Sequence, residues 1–238
     1  IDTSVFPWIA DHKAGGAVVV PAAAIIEIAL AAARESLGDA HIELRDCAIY
    51  RPLYLEPGAL QETKTCVNAQ ERLIDLFSRR RGTQGDWTHH ARAAFAALPP
   101  ARVETRDGTV APTSRMGKDE VYALAREKLL DYGPSFQVVE SIDSLGDRAS
   151  RVRFAPSLLD PTGLLADPTL IDGGLQAVLC LPALRGDAEK TYLPTRFDIP
   201  YDKPLFDEYG IKGIPKTNLA SSNDHGYSRF TPAGYSEI

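Results

Sequence analysis

Pro21-Ala22-Ala23-Ala24-Ile25-Ile26-Glu27-Ile28-Ala29-Leu30-Ala31-Ala32-Ala33-Arg34-Glu35-Ser36-Leu37 has the composition of a helix and almost no polar face. Proline suits its start, because the donor that proline lacks has no partner in the first turn of a helix. Gly38 supplies a stop. A helix on a protein surface carries a polar stripe, whereas this one is broken mainly by Glu27. The stretch therefore predicts a helix wrapped by other structure, with alanines that let neighbouring backbones come close.

Downstream, Ile42, Leu44, Asp46, Ala48 and Tyr50 belong to a strand, followed by turn signals at Pro52 and Pro57-Gly58. Residues 60–68, 72–79 and 87–97 read as further strands, with Arg81–Asp86 as a hairpin loop. One buried helix followed by several long antiparallel strands predicts a sheet curled around that helix. Pro99-Pro100, Asp107-Gly108 and Pro112 then break any regular pattern, so 99–117 is expected to be a linker. Beyond it come a short helix over 118–130, strands over 136–144 and 149–155, and a turn-rich loop over 157–167. A second apolar helix opens at Asp167-Pro168, an acidic cap with proline behind it, and is expected to run to Pro182. The expected organisation is an N-terminal half over 1–98, the linker, a C-terminal half over 118–200 and an atypical tail or incomplete closing segment over 201–238. A sheet that fully wraps the first helix needs strands ahead of Ile1, and the chain opens without methionine, so it is read as a piece of a larger protein.

The 238 residues are 44% hydrophobic and 24% charged, enough for a real core, with a formal net charge of -6. That balance argues against broad attraction to nucleic acid, which needs a basic footprint. Arg79, Arg80 and Arg81 are either a local basic patch for an acidic partner or a solvated turn. Cys47, Cys66 and Cys180 lie far apart without a C-x-x-C pair, which suggests neither a zinc site nor a disulfide framework, and all three are expected to be buried, inert thiols. No apolar run reaches membrane-spanning length and no signal peptide opens the chain, so a cytoplasmic protein is expected.

Of the five histidines, His41, His89, His90 and His225 read as ordinary strand or turn residues, and none has metal-ligand spacing. His12 differs in its setting. Trp8-Ile9-Ala10 supplies bulk that desolvates a site, and Gly15-Gly16 follows just ahead of the helix at Pro21. A desolvated neutral imidazole is a plausible base near neutral pH. Asp172 sits early in the second helix among Ile171, Gly173, Gly174 and Leu175, with Gln176 on the same face four residues on. It is either a solvated or capping carboxylate, or a buried one whose raised pKa lets it act as a general acid.

These segments carry a resemblance. His12-Lys13-Ala14-Gly15-Gly16-Ala17-Val18-Val19-Val20-Pro21 matches the H-x-x-x-G-x-x-x-x-P motif of polyketide synthase dehydratase domains. Tyr132-Gly133-Pro134-Ser135-Phe136-Gln137 resembles their Y-G-P-x-F-Q motif, and Asp172-Gly173-Gly174-Leu175-Gln176 their D-x-x-x-Q motif. The likeness runs from about Pro7 to Asp198. It includes Arg51-Pro52-Leu53 and Leu193-Pro194, with Phe197 where tryptophan is common and Ala22 in place of a frequent glycine.

The resemblance implies an α+β double hotdog fold, in which two antiparallel sheets each wrap a buried helix and the pocket lies between the halves. It implies dehydration of a 3-hydroxyacyl thioester carried by the phosphopantetheine of an acyl carrier protein, with no cofactor or metal of the domain's own. His12 is the expected base and Asp172 the acid. Gly16 would polarise the thioester oxygen through its amide, Gln176 would orient Asp172, and Tyr132 would hydrogen-bond near the hydroxyl or the acid. Gly133 and Pro134 would shape the pocket wall, and Pro21 would open the first helix. The implied partners are the carrier protein, other synthase domains and a second copy in a homodimer. A related cyclase or double-bond isomerase, a silent carrier-binding hotdog domain and a hydrolytic thioesterase are the rival readings.

Overall fold

The computed structural model describes residues 1–38, 41–98, 111–145, 150–160, 162–177, 192–194, 196–201 and 235–237. Helix α1 (Ala22–Leu37) begins one residue past Pro21, which serves as its N-cap in extended conformation (φ -66°, ψ 150°). Gly38 ends it at φ 71° and donates its amide to the Arg34 carbonyl. Its row Ala23, Ile26, Leu30 and Ala33 is almost fully buried, while Ala31, Arg34, Glu35 and Ser36 face outward. The predicted wrapping therefore covers most of the helix, and its last turns keep a solvent edge.

The wrapping sheet contains β3 (His41–Ile49), β5 (Gln61–Asn68), β6 (Leu73–Arg80), β7 (Thr88–Leu98) and β13 (Arg196–Tyr201), in the order β13-β3-β7-β6-β5 and antiparallel throughout. Register shifts interrupt the β3–β7, β6–β7 and β13–β3 ladders. Each such bulge bends and twists its strand, which lets a sheet curl around a helix. Ile42, Leu44, Ile74, Ala93 and Phe95 on the inner face meet Ala23, Ile26 and Leu30. His90 also points inward, where its Nε2 meets the Ser78 hydroxyl at 2.8 Å and its Nδ1 meets the Arg51 carbonyl at 3.0 Å, while His89 turns outward to Asp75.

A second body of structure follows. β8 (Ser114–Gly117), β10 (Val139–Ser144) and β11 (Ser150–Phe154) form a three-stranded sheet in the order β11-β10-β8. Helix α2 (Lys118–Glu127) buries Val121, Tyr122 and Ala125 against Phe136, Val139 and Ile142. Helix α3 (Pro168–Gln176) lies against α1, with Ile171 in the same cluster as Ala23, Ile26 and Leu30. A further sheet joins the two bodies. It pairs β4 (Tyr54–Leu55), β2 (Ala17–Val19), β1 (His12–Ala14) and β9 (Leu130–Tyr132), in that order.

Four expectations need correcting. The linker expected over 99–117 ends in strand β8, because Ser114–Gly117 pairs with Ser141–Ser144 and Met116 packs on the second cluster; residues 99–110 lie outside the described set. Residues 196–200, assigned to the C-terminal half, and Tyr201, assigned to the tail, pair with β3 in the first sheet. Cys66 is exposed rather than buried, because β5 is an edge strand and most of its residues face solvent; Cys47 is buried, and Cys180 lies outside the described residues. The tail expected over 201–238 includes a described strand, β14 (Tyr235–Glu237), paired with β12 (Tyr192–Pro194); 202–234, with His225, and the expected end of the second helix at 178–182 lie outside the described residues.

Leu30 is fully buried between α1, the sheet and α3. Leu30→Ala is expected to cost about 2–5 kcal/mol of unfolding free energy, read as a lower midpoint in urea denaturation at unchanged slope.

Candidate active site

The site starts from a two-residue hairpin. Gly15 and Gly16 join β1 to β2 with φ of 56° and 80°, backbone angles that two successive side-chain-bearing residues rarely accept. This short turn places Val19 opposite His12, and the His12 Nδ1 lies 2.9 Å from the Val19 carbonyl oxygen. A carbonyl only accepts, so in the neutral ring Nδ1 carries the hydrogen and the lone pair is on Nε2. On its other side β1 pairs with β9, which sets Tyr132 directly across from His12. The rings of Tyr132 and Phe136 lie 5.5 and 5.1 Å from the imidazole, centroid to centroid, and wall it with apolar surface.

The second group comes from α3. Asp167 caps this helix by accepting from the Thr169 and Leu170 amides, with Pro168 in its first turn. The next turn carries Asp172, 4% exposed. A side chain on Gly173 would place its Cβ 2.6 Å from Val138 Cγ2 and 2.9 Å from Phe154 Cε1, so only glycine lets the helix sit this deep. There the Asp172 Oδ1 comes within 3.7 Å of His12 Nε2. Gln176 donates from Nε2 to Asp172 Oδ2 at 3.0 Å and to the Phe136 carbonyl at 3.0 Å, which fixes the carboxyl plane. Among the described residues, the buried Gln176 Oε1 has no hydrogen-bond partner.

Burial is the main influence on Asp172 and raises its pKa above the ordinary carboxylate range, against smaller opposing effects of His12 and the Gln176 bond. Burial and the neighbouring Asp172 together raise the Tyr132 phenol well above its usual value. The arrangement sets the His12 imidazole, with Nδ1 on a backbone carbonyl, against a carboxyl group whose pKa burial raises.

The structure places the remaining candidates as follows. Gly16 sits at the exposed tip of the hairpin, Pro21 caps α1, and Pro134 opens a single 3-10 turn, Pro134–Phe136. The Gly133 amide donates to the Asp11 carbonyl at 2.7 Å. Asp11 itself was not legible as a site residue. Its carboxylate accepts from the Ser135 amide at 2.9 Å and so ties the Tyr132–Phe136 loop to the strand of His12. The sole signal in the sequence is its position next to His12. Tyr122 was missed likewise: its hydroxyl donates to the Phe136 carbonyl and accepts from the Val139 amide. Among the described residues, no three His, Cys, Asp or Glu side chains cluster in a way that would hold a metal ion, and no helix is long and apolar enough to cross a membrane.

Comparisons with known proteins converge. A family model described as polyketide synthase dehydratase domain matches residues 1–79, and one described as polyketide synthase dehydratase N-terminal domain matches residues 99–199. A phenolphthiocerol/phthiocerol polyketide synthase protein of Mycobacterium tuberculosis is 30% identical over 218 residues, covering 83% of this chain but only 12% of that protein. The chain thus spans about one eighth of the length of this curated relative. Among solved structures, the dehydratase domain from the CurJ module of curacin polyketide synthase superposes with a TM-score of 0.74 at 21% identity, over 84% of this chain and 72% of that one. The dehydratase domain of the polyketide PpsC from Mycobacterium tuberculosis gives a TM-score of 0.68 at 25% identity, over 83% and 72%. The fold is that of these double hotdog domains.

Two outcomes follow from the geometry. Asp11→Ala removes the acceptor of the Ser135 amide and is expected to cost about 1–3 kcal/mol in urea denaturation. For Asp172 the sign of the pH effect comes from its raised pKa: the folded state binds the proton more tightly than the unfolded one. Its cost is therefore absent below about pH 4, grows as pH rises toward the folded pKa and is constant above it. Asp172→Asn abolishes that cost, so the stability of the variant relative to wild type is expected to increase with pH from about 4 upward in a denaturation series.

Proposed function

The chain belongs to the polyketide synthase dehydratase domain family, and from that premise we propose that it eliminates water from a 3-hydroxyacyl thioester carried on the phosphopantetheine of an acyl carrier protein, giving the 2,3-unsaturated thioester. One observation carries the reading: His12 Nε2 and the buried Asp172 carboxyl lie 3.7 Å apart, one group from each half, while His12 Nδ1 is taken up by the Val19 carbonyl.

In this mechanism His12 Nε2 takes the C2 proton. The electrons of that C–H bond become the C2=C3 π bond as the C3–O bond breaks, and Asp172 gives its proton to the departing hydroxyl, which leaves as water. The hydrogen and the hydroxyl sit on adjacent carbons, so a base and an acid this close can serve both from the same face. Afterwards His12 holds a proton and Asp172 lacks one, and transfer between them restores the starting state. The hydrogen bond to the Val19 carbonyl keeps Nε2, rather than Nδ1, as the base. The Gly16 amide polarises the thioester oxygen as negative charge develops there. The Tyr132 phenol, held neutral by burial, donates near the C3 oxygen. The unpartnered Gln176 Oε1 is available to accept from the same hydroxyl. The domain acts within a multidomain synthase in the cytoplasm, alongside its carrier protein and in a homodimeric assembly. No observation favours ring closure, double-bond migration, hydrolysis or a silent binding role.

The test presents a 3-hydroxyacyl pantetheine or carrier-protein thioester and follows the loss of water by mass spectrometry. His12→Ala and Asp172→Asn are each expected to lose at least about a hundredfold in rate. Unchanged turnover in either variant sinks that residue's role, and a cyclic isomer of the dehydrated mass, separated by chromatography, would establish the cyclising alternative instead.

A further inference from the structure

Both buried helices carry one buried carboxylate in the second turn, and only one of them faces a histidine. Asp172 on α3 meets His12, whereas Glu27 on α1, 8% exposed, is turned to the chain that leads into α3. Its Oε1 accepts from the Leu165 amide at 2.7 Å and its Oε2 from the Ala166 amide at 2.8 Å. Ala166 immediately precedes Asp167, the N-cap of α3. Both oxygens are thus spent on two consecutive amides at the entrance of the helix that holds Asp172.

Apolar packing also joins α1 and α3. Ala23, Ile26 and Leu30 pack against Ala166 and Ile171. Dispersion contacts are non-directional and hold the two helices together without singling out any one backbone group of α3. Two hydrogen bonds to fixed amides are lost when one helix slides along the other, and a buried carboxyl group left without them is costly. The apolar contacts hold α3 against α1, and the Glu27 bonds add two fixed points at its entrance.

We propose that Glu27 is a positioning residue for the elimination: through the Leu165 and Ala166 amides it fixes the start of α3 and so the separation between Asp172 and His12. This rests on the dehydratase reading above. Glu27 touches neither reacting group; it acts through Asp172, and a shift of about 1 Å at such a group costs up to about a hundredfold in rate.

The test uses Glu27→Gln, which keeps one acceptor oxygen but sets an amide group against the second N–H, alongside Glu27→Ala. In folded Glu27→Gln, kcat for the 3-hydroxyacyl thioester is expected to fall about tenfold or more with KM changed less than about threefold. Amide hydrogen exchange at Ile171 and Asp172 is expected to accelerate with or without substrate, while exchange in the β6 strand stays at the wild-type rate. Glu27→Ala is expected to show the same split more strongly, or to fail to fold, in which case Glu27→Gln decides. A folded Glu27→Gln enzyme with wild-type kcat, or with unaltered exchange in α3, overturns the proposal. So does a loss of kcat matched by an equal change in KM. If the wild-type chain does not release water, the dehydratase reading fails and the exchange measurement alone decides whether Glu27 fixes α3.

Discussion

An ionisable carboxyl group buried in an apolar helix has to be compensated, and the surroundings of Asp172 are arranged for that. It is almost wholly shielded from water, so its charged form is disfavoured and the proton is held more tightly than on an exposed aspartate. Compensation comes from Gln176 on one oxygen and from the facing imidazole of His12 on the other. Both require α3 to lie deep, which in turn requires Gly173 beside Val138 and Phe154. The packing that stabilises the fold and the geometry that brings base and acid together are therefore the same contacts.

Much of the orientation in the site is done by the backbone. Val19 selects the His12 tautomer through its carbonyl, and Phe136 receives both Gln176 and Tyr122 on its carbonyl. Two carboxylates outside the chemistry hold backbone amides: Asp11 takes Ser135, and Glu27 takes Leu165 and Ala166. Main-chain groups cannot change rotamer, so a side chain anchored to them is held more rigidly than one anchored to another side chain. Each of these two carboxylates also crosses between the halves, which couples the hairpin of His12 to the loop of Tyr132 and the first helix to the second.

The parts of this architecture that follow from local pattern were legible in the sequence. Helices α1 and α3 declare themselves by largely apolar runs with proline or aspartate caps, and β3, β5, β6 and β7 are long enough to read as strands. Strands of three residues such as β1, β2 and β9 are too short to show alternation, and the proline-rich stretch before β8 hides it. The pairing of β13 with β3 joins residues about 150 positions apart and has no local signature. The candidate site shows the same division. His12, Asp172 and Gln176 stand out by motif and by helical spacing, whereas Asp11 finds its partner 124 residues away and Glu27 its partners 138 and 139 residues away. The sequence displays Glu27 as a polar break in an apolar helix, but the amides it holds are set by tertiary packing.

His12 and Asp172, the proposed base and acid, depend on structure of different range. The Nδ1 bond of His12 spans seven residues of one hairpin, so the tautomer of the base is settled locally and as soon as β1 and β2 pair. The proton affinity of Asp172 has no such local origin, since it arises from burial that exists only when α3 is packed against α1 and the Phe136 turn. An isolated first half would hold a histidine of the correct tautomer with nothing opposite it, and an isolated α3 would expose an ordinary, ionised aspartate. Acid–base chemistry of this kind is therefore a property of the assembled halves, and it is sensitive above all to groups such as Asp11 and Glu27 that fix how one half sits against the other.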